Sequence, residues 1–176
     1  LRRLGAEARE VRLPPDLEGL DALIIPGGES TTISRLMGIY GLLEPLRAFA
    51  ARRPVWGTCA GMIVMAKHAT DLDLETLGLV DISVERNAFG RQVDSFETEL
   101  EIDEIDGPPL RCVFIRAPLI REAGPGVKVL AEIEGQGIVA ARQGHLLVTS
   151  FHPELTDDPR LHEYFLSLAE KSAAVK

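Results

Sequence analysis

Aromatic side chains are scarce in this chain: Phe, Trp and Tyr together make up 5% of its 176 residues. A core of stacked rings is therefore excluded as the main packing device, and Leu, Ile, Val and Ala must fill the interior. Cysteine is scarcer still. Cys59 lies between glycines at a turn and Cys112 inside an apolar run, so no disulfide framework is expected, and the reading is a cytoplasmic protein with reduced thiols. No apolar run reaches the length of a membrane span, and no signal peptide is expected at the start. A basic face is lacking too. The formal net charge of −8 argues against nucleic acid as the main partner, because phosphate binding needs an excess of Lys and Arg. His68, His145 and His162 have no partners at metal-ligand spacing, so no metal or other cofactor is expected.

What remains is ordinary globular composition, 45% hydrophobic and 26% charged, in a length that suits a single domain over 1–176. Leu1–Ala8 reads as the tail of an amphipathic helix and Glu10–Leu13 as a short strand. The run ALII within Asp21–Pro26 is too short and too β-branched for a helix, so it reads as a buried strand. Helical patterns follow from Ser30 to about Met37 and over Leu42–Arg53. A brief strand, Val55–Gly57, then leads through a glycine-rich turn into an apolar helix from Met62 to Ala69. Short buried strands alternating with helices predict an α/β fold with a parallel sheet covered on both faces.

The second half is richer in strands: Leu79–Glu85, Phe96–Ile102, Cys112–Ala117, Val127–Ile133, Gly137–Ala141 and Leu146–Phe151. Gln143-Gly144 suits a hairpin turn between the last two. A closing helix runs to about Glu170, with Asp157 or Asp158 as N-cap and Pro159 near its first position. Parallel sheets carry their sites at the carboxyl ends of the strands. Two glycine-rich segments, at 26–30 and 57–61, and His152 all follow predicted strands, so the three should converge on one edge.

Gly57-x-Cys59-x-Gly61 has the spacing of a nucleophile elbow with Cys in place of Ser. The tight strand-to-helix turn needs small flanking residues, lifts the sulfur out of the sheet and sets it at a helix N-terminus that favours a thiolate. The Ala60 N–H then points to where an oxyanion would form. A structural cysteine in a glycine-rich turn is the plain alternative. His152-Pro153-Glu154 tips the balance, because residues two apart in an extended segment share a side. Glu154 can orient the His152 imidazole, and His152 can take the Cys59 proton. Alone, the same three residues would read as a turn histidine beside a capping acid.

Gly27-Gly28 permits positive φ and close backbone approach to a ligand, or simply a tight turn ending in Ser30 as N-cap. Arg86, Arg91 and Arg116 are candidates for gripping a small anionic group, although isolated arginines are commonly solvated surface. Cys112 reads as an inert core thiol, and Trp56 as packing rather than a substrate platform.

The segments LIIPGGESTT, VWGTCAGM, VERNAFGRQVDSF, FIRAP and SFHPELTDD together resemble the glutaminase subunits of pyridoxal 5′-phosphate synthase. PGGEST, the ERN-to-DSFE segment and FIRAP set that family apart from other triad glutaminases, which share only the elbow and the H-P-E. The resemblance implies a three-layer class I glutamine amidotransferase fold, a mostly parallel central sheet with helices on both faces. By motif, Cys59 would be the nucleophile, His152 the base and Glu154 its orienter. Gly28 and Ala60 would form the oxyanion hole. Gly28, Glu29, Ser30, Arg86, Ile115 and Arg116 would hold L-glutamine. The implied partner is a separate (β/α)8 synthase subunit, which receives ammonia and makes pyridoxal phosphate; this chain would bind none itself. The family begins with a strand and a Gln-Gly segment ahead of the first helix, and this chain is expected to lack that strand.

Three other readings stand beside this one: a glutaminase serving a different synthase, a cysteine peptidase-like hydrolase on a related sheet, and a non-catalytic interaction subunit. Glu29-Ser30 and FIRAP speak against the first, the H-P-E against the second, and the intact triad against the third.

Overall fold

A computed structural model describes residues 1–73, 75–89 and 95–174. Arg91 and the middle of the VERNAFGRQVDSF segment lie outside the described residues.

The strands are β1 (Leu23–Ile25), β2 (Val55–Thr58), β3 (Ala66–Ala69), β4 (Val80–Glu85), β5 (Ser95–Leu100), β6 (Leu110–Ile115), β7 (Leu119–Ala123), β8 (Lys128–Ile133), β9 (Gly137–Gln143) and β10 (Leu146–Thr149). The helices are α1 (Ser30–Ile39), α2 (Leu43–Ala50), α3 (Ala60–Met65) and α4 (Arg160–Ala174). An eight-stranded sheet runs β1-β2-β10-β9-β7-β4-β3, with β8 added on β9, and β5 pairs with β6 in a separate hairpin.

The sheet is mixed. β1, β2 and β10 are parallel neighbours, as are β3 and β4, whereas β9 runs antiparallel to β10, β7 and β8, and β7 to β4. The parallel expectation thus holds where the site is built. It gives way to hairpin-type pairing in the strand-rich second half, where connections are too short for crossovers.

Side-chain alternation divides the interior into two cores. Ile25, Val55, Leu146 and Val148 face one, shared with Met37, Leu46, Phe49 and the apolar side chains of α3. Trp56 and Leu147 face the other, with Leu161, Phe165 and Leu168 of α4 and Phe114 of β6. Helices therefore cover both faces, because these central strands are apolar on both sides. Each such side chain fully withdrawn from water contributes on the order of 1.5–3 kcal/mol.

The few aromatics are concentrated. Phe96 and Phe114 stack across the β5–β6 pair at 4.6 Å, Phe89 meets Phe96 at 4.8 Å, and Phe114 meets Phe151 at 5.6 Å. This cluster docks the hairpin against the chain just before His152.

Several expected boundaries move. The apolar helix expected over Met62–Ala69 begins at Ala60 and stops at Met65, and Ala66–Ala69 is β3. Ala66 turns extended, and the last helical carbonyls are taken by a distant segment: Leu77 N–H donates to Val64 O and Leu79 N–H to Met65 O. β7 was not expected at all. Glu10–Leu13 is not a strand, and Leu1–Ala8 contains only a single 3₁₀ turn at Arg2–Leu4, closed by Gly5 at φ 81°. The Gln143-Gly144 turn is present, with Gly144 at φ 60° and Leu146 paired to Gln143. The closing helix extends past Glu170 to Ala174.

Candidate active site

The elbow forms where β2 ends. Cys59 has φ 50° and ψ −107°, a conformation that costs a non-glycine residue about 1–3 kcal/mol and is found where structure over-determines it. Its glycines are there for close packing. A methyl on Gly61 would lie 1.9 Å from Ile25 O, and one on Gly57 2.5 Å from Gly61 O. Only bare backbone lets α3 cross β1 and β2 this tightly. The Cys59 N–H donates to Thr149 O at 2.8 Å, and the thiol faces Ile115 O at 3.8 Å. Ala60 opens α3, whose six residues make a shorter helix behind the sulfur than expected.

His152 follows β10 after Ser150 and Phe151. Its N–H donates to Val113 O at 2.8 Å, so the β5–β6 hairpin holds His152 in place. Its Nδ1 lies 2.7 Å from Glu154 Oε1. The pairing expected from the two-residue spacing is present, but on a different backbone. Pro153–Leu155 is a 3₁₀ turn with His152 as N-cap, and the Leu155 N–H donates back to His152 O. The turn, not an extended segment, brings the carboxylate under the ring.

The electrostatics follow the contacts. Hydrogen bonding to Cys59, then to Glu154, raises the His152 pKa from 6.5 to about 10, against the opposing effect of burial. Burial pushes Glu154 up, but the His152 hydrogen bond and the charges of His152 and His162 outweigh it, so its carboxyl is held below the usual value. His162, packed against Trp56 at 5.1 Å, is shifted down chiefly by burial.

The glycine-rich segment at 26–30 arrives from β1. Gly28 sits at φ 152°. Glu29, rather than Ser30, caps α1: its carboxylate accepts from the Thr31 and Thr32 N–H groups at 3.0 and 2.7 Å, which lower its pKa to about 2. A carboxylate reaches these amides more easily from outside the helix, and it complements the helix dipole. Ser30 is the first helical residue. Among the described residues its buried hydroxyl has no hydrogen-bond partner.

Arg86 follows β4 and reaches back to this cap. It donates to Asp71 O and stands 3.4 Å from both Glu29 Oε1 and Thr31 Oγ1. Ile115 ends β6 beside the sulfur. Arg116, exposed and at φ 42°, comes next.

One group of expected residues therefore gathers around the sulfur: Cys59, His152, Glu154 and Ile115. A second, Glu29 with Arg86, meets at the cap of α1. Three further contributors went unnoticed in the sequence: the Thr149 carbonyl, the Val113 carbonyl, and Gly27 as a neighbour of His152. Backbone acceptors carry no sequence signal, whereas the Gly27-Gly28 pair did mark the place. Cys112 is buried with its thiol pushed up to about 12 by desolvation, as suits an inert core residue. Trp56 is fully buried and packs, as expected. Among the described residues no three His, Cys, Asp or Glu side chains converge as a metal site, and no helix is long and apolar enough to cross a membrane.

Known proteins resemble this chain in sequence and fold. A solved structure described as a glutamine amidotransferase superposes with a TM-score of 0.90 at 51% identity, covering 96% of this chain and 89% of its own. A putative GMP synthase component from Thermoplasma acidophilum, 16% identical with a TM-score of 0.65, covers 92% of this chain and 79% of its own and shares the fold. The pyridoxal 5′-phosphate synthase subunit PdxT of Geobacillus kaustophilus is 57% identical over 169 residues, 96% of this chain and 85% of the relative. That of Carboxydothermus hydrogenoformans is 54% identical over 167 residues, 94% of this chain and 87% of the relative. Residues 1–171 match the profile of the SNO glutamine amidotransferases, and the chain belongs to that family.

Proposed function

We propose that this chain hydrolyses L-glutamine through Cys59, His152 and Glu154 and passes the ammonia to a separate pyridoxal 5′-phosphate synthase subunit. Membership of a glutamine amidotransferase family makes it a glutamine-hydrolysing enzyme. The triad, the ammonia transfer and the assembly with a synthase are our reading. It takes 1–176 as one amidotransferase domain. The observation that carries it is the 2.7 Å contact of His152 Nδ1 with Glu154 Oε1, made by a histidine whose pKa is raised chiefly by its interaction with the elbow cysteine.

The raised His152 value lets the imidazole take the Cys59 proton and hold it at neutral pH. The sulfur attacks the side-chain amide carbon of glutamine. The tetrahedral oxyanion lies against the Ala60 N–H and a backbone N–H at Gly28, each such donor being worth a factor of about a hundred or more in turnover. His152 gives its proton to the amide nitrogen, the C–N bond breaks and ammonia leaves, with a γ-glutamyl thioester on Cys59. Water then attacks the thioester. His152 accepts its proton and returns it to the sulfur as glutamate departs. Glu154 transfers no proton; it fixes the ring and stabilises its charge.

Glutamine is held by the backbone at Gly28, Glu29 and Ser30, by Arg86 for the α-carboxylate, and by Ile115 and Arg116 beside the sulfur. Docking of the synthase reorients the peptide at the paired glycines and completes the oxyanion hole. The relatives' names support the choice of synthase. The test is glutamate release by the purified chain, by itself and mixed with its pyridoxal 5′-phosphate synthase partner. Hydrolysis that rises on mixing, with pyridoxal phosphate formed from glutamine, is expected. An inert mixture that still makes the product from ammonium salt would overturn the reading.

A further inference from the structure

Trp56 is the chain's single tryptophan and has no exposed surface. Its indole N–H therefore cannot reach water, and it donates to Thr149 Oγ1 at 3.1 Å. Thr149, equally buried, ends β10 three residues before His152. Its carbonyl accepts the Cys59 N–H at 2.8 Å, the contact that anchors the nucleophile in its left-handed conformation. The other side of the indole is held by α4, with His162 at 5.1 Å and Phe165 at 5.5 Å between ring centroids. α4 follows the turn that carries Glu154. The strand that leads to Cys59 and the strand that leads to His152 and Glu154 therefore meet at one buried side-chain hydrogen bond, with α4 packed on the indole.

We infer that Thr149 is a positioning residue for the triad: its hydroxyl, fixed by the Trp56 indole, sets the carbonyl that holds Cys59 and the strand end that delivers His152. The inference rests on the glutaminase reading above for its kinetic consequences, but its structural content does not. A valine fills the same space as threonine and suits a strand equally well, so only the acceptor is lost. The indole N–H is then buried without a partner, a penalty large enough to shift the strand end instead of being tolerated in place. A misplaced elbow loses alignment in the reacting complex, while the glutamine contacts at Glu29 and Arg86 lie on other elements.

The experiment compares the parent with Thr149→Val, Thr149→Ser, Trp56→Phe and the Thr149→Val/Trp56→Phe double variant, each in complex with the synthase. Thr149→Val and Trp56→Phe are each expected to lower kcat about tenfold, with KM for glutamine within about twofold of the parent. Thr149→Ser should restore kcat, and the double variant should be no worse than the lower single, because both remove one bond. The indole N–H resonance, one peak in this chain, should move and exchange faster in Thr149→Val but not in Thr149→Ser. Alkylation of Cys59 by iodoacetamide, followed on its own peptide, needs no glutamine and should slow in Thr149→Val and recover in Thr149→Ser. A parent inert toward glutamine whose alkylation shows this pattern would sink the glutaminase reading and leave the positioning role standing. An active parent with unchanged kcat and alkylation in Thr149→Val, or a serine variant as impaired as the valine one, would overturn the positioning role alone. If Thr149→Val does not accumulate folded, Trp56→Phe decides by the same measures.

Discussion

Gly27 stands so close to the His152 ring that a methyl group on its α-carbon would lie 2.6 Å from Cε1 and 3.3 Å from Nδ1. The same methyl would be 3.5 Å from Cys59 Cβ. Glycine is required here by the closeness of His152 and Cys59 themselves, apart from the oxyanion role proposed for the pair.

Gly27→Ala should therefore fold, because the ring can swing aside, but it should no longer present a usable base. A displacement of about 1 Å commonly costs on the order of a hundredfold in rate. We expect kcat to fall by about that factor, with a smaller change in KM. Steady-state kinetics on the folded complex, with the melting temperature as control, checks this. Turnover within a few-fold of the parent would show that the contact is slack.

The His152–Glu154 pair makes a prediction in pH. The folded-state value of His152, raised by Cys59 and then Glu154 to about 10, lies above the ordinary 6.5, so the stability contributed by this histidine's protonation is complete below about pH 6.5 and is lost as pH rises through about 10. Ring resonances of His152 should titrate far on the alkaline side in the parent. Glu154→Gln should bring that titration down and lower turnover, yet less than His152→Ala does, since the glutamine retains an acceptor without charge. A parent ring that titrates near the ordinary value would contradict the raised His152 value.

The elbow was legible because its constraints are local. Three small residues around a cysteine after a buried strand admit few geometries, and the His152–Glu154 pairing followed from its spacing, although a 3₁₀ turn delivers it where an extended segment was expected. β2 and β10 were legible for the related reason that a short apolar run between turn signals must be a buried strand. What escaped depended on partners far along the chain. The helix after Cys59 ends at Met65 because the Leu77 and Leu79 amides reach its last carbonyls. β7, in LIREA, is buried only at its first two positions, and its ladder partners are β4 and a single pairing to β9. Ser30 seemed the natural cap of α1, but the neighbouring Glu29 reaches the same amides with a charge.

Gly61→Ala tests the packing reason for the elbow's glycines. With a carbonyl oxygen 1.9 Å from the added methyl, neither backbone can yield without separating α3 from β1. Destabilisation of about 3 kcal/mol or more is expected, at the upper end for overpacking. Urea unfolding measures it directly. An unchanged midpoint would mean that α3 moves more freely than its burial implies.

Arg86 should act on binding rather than on chemistry, since it meets Glu29 and Thr31 and no residue of the triad. Losing one charge-assisted contact to a carboxylate costs about 1.5–3 kcal/mol, so Arg86→Ala should raise KM for glutamine about 10- to 100-fold. kcat should change much less. An unchanged KM, measured by glutamate release over a wide glutamine range, would remove Arg86 from the substrate site.

Covalent capture at Cys59 bears most directly on the mechanism. The complex with its synthase is mixed with glutamine, quenched in acid within the first turnovers, digested, and examined by mass spectrometry. A γ-glutamyl adduct confined to the Cys59 peptide is expected in the parent. It should be absent in Cys59→Ala, which should also release no glutamate while its synthase partner still makes product from ammonium salt. Sustained glutamate release from folded Cys59→Ala, or an adduct on another residue, would contradict nucleophilic catalysis by this cysteine.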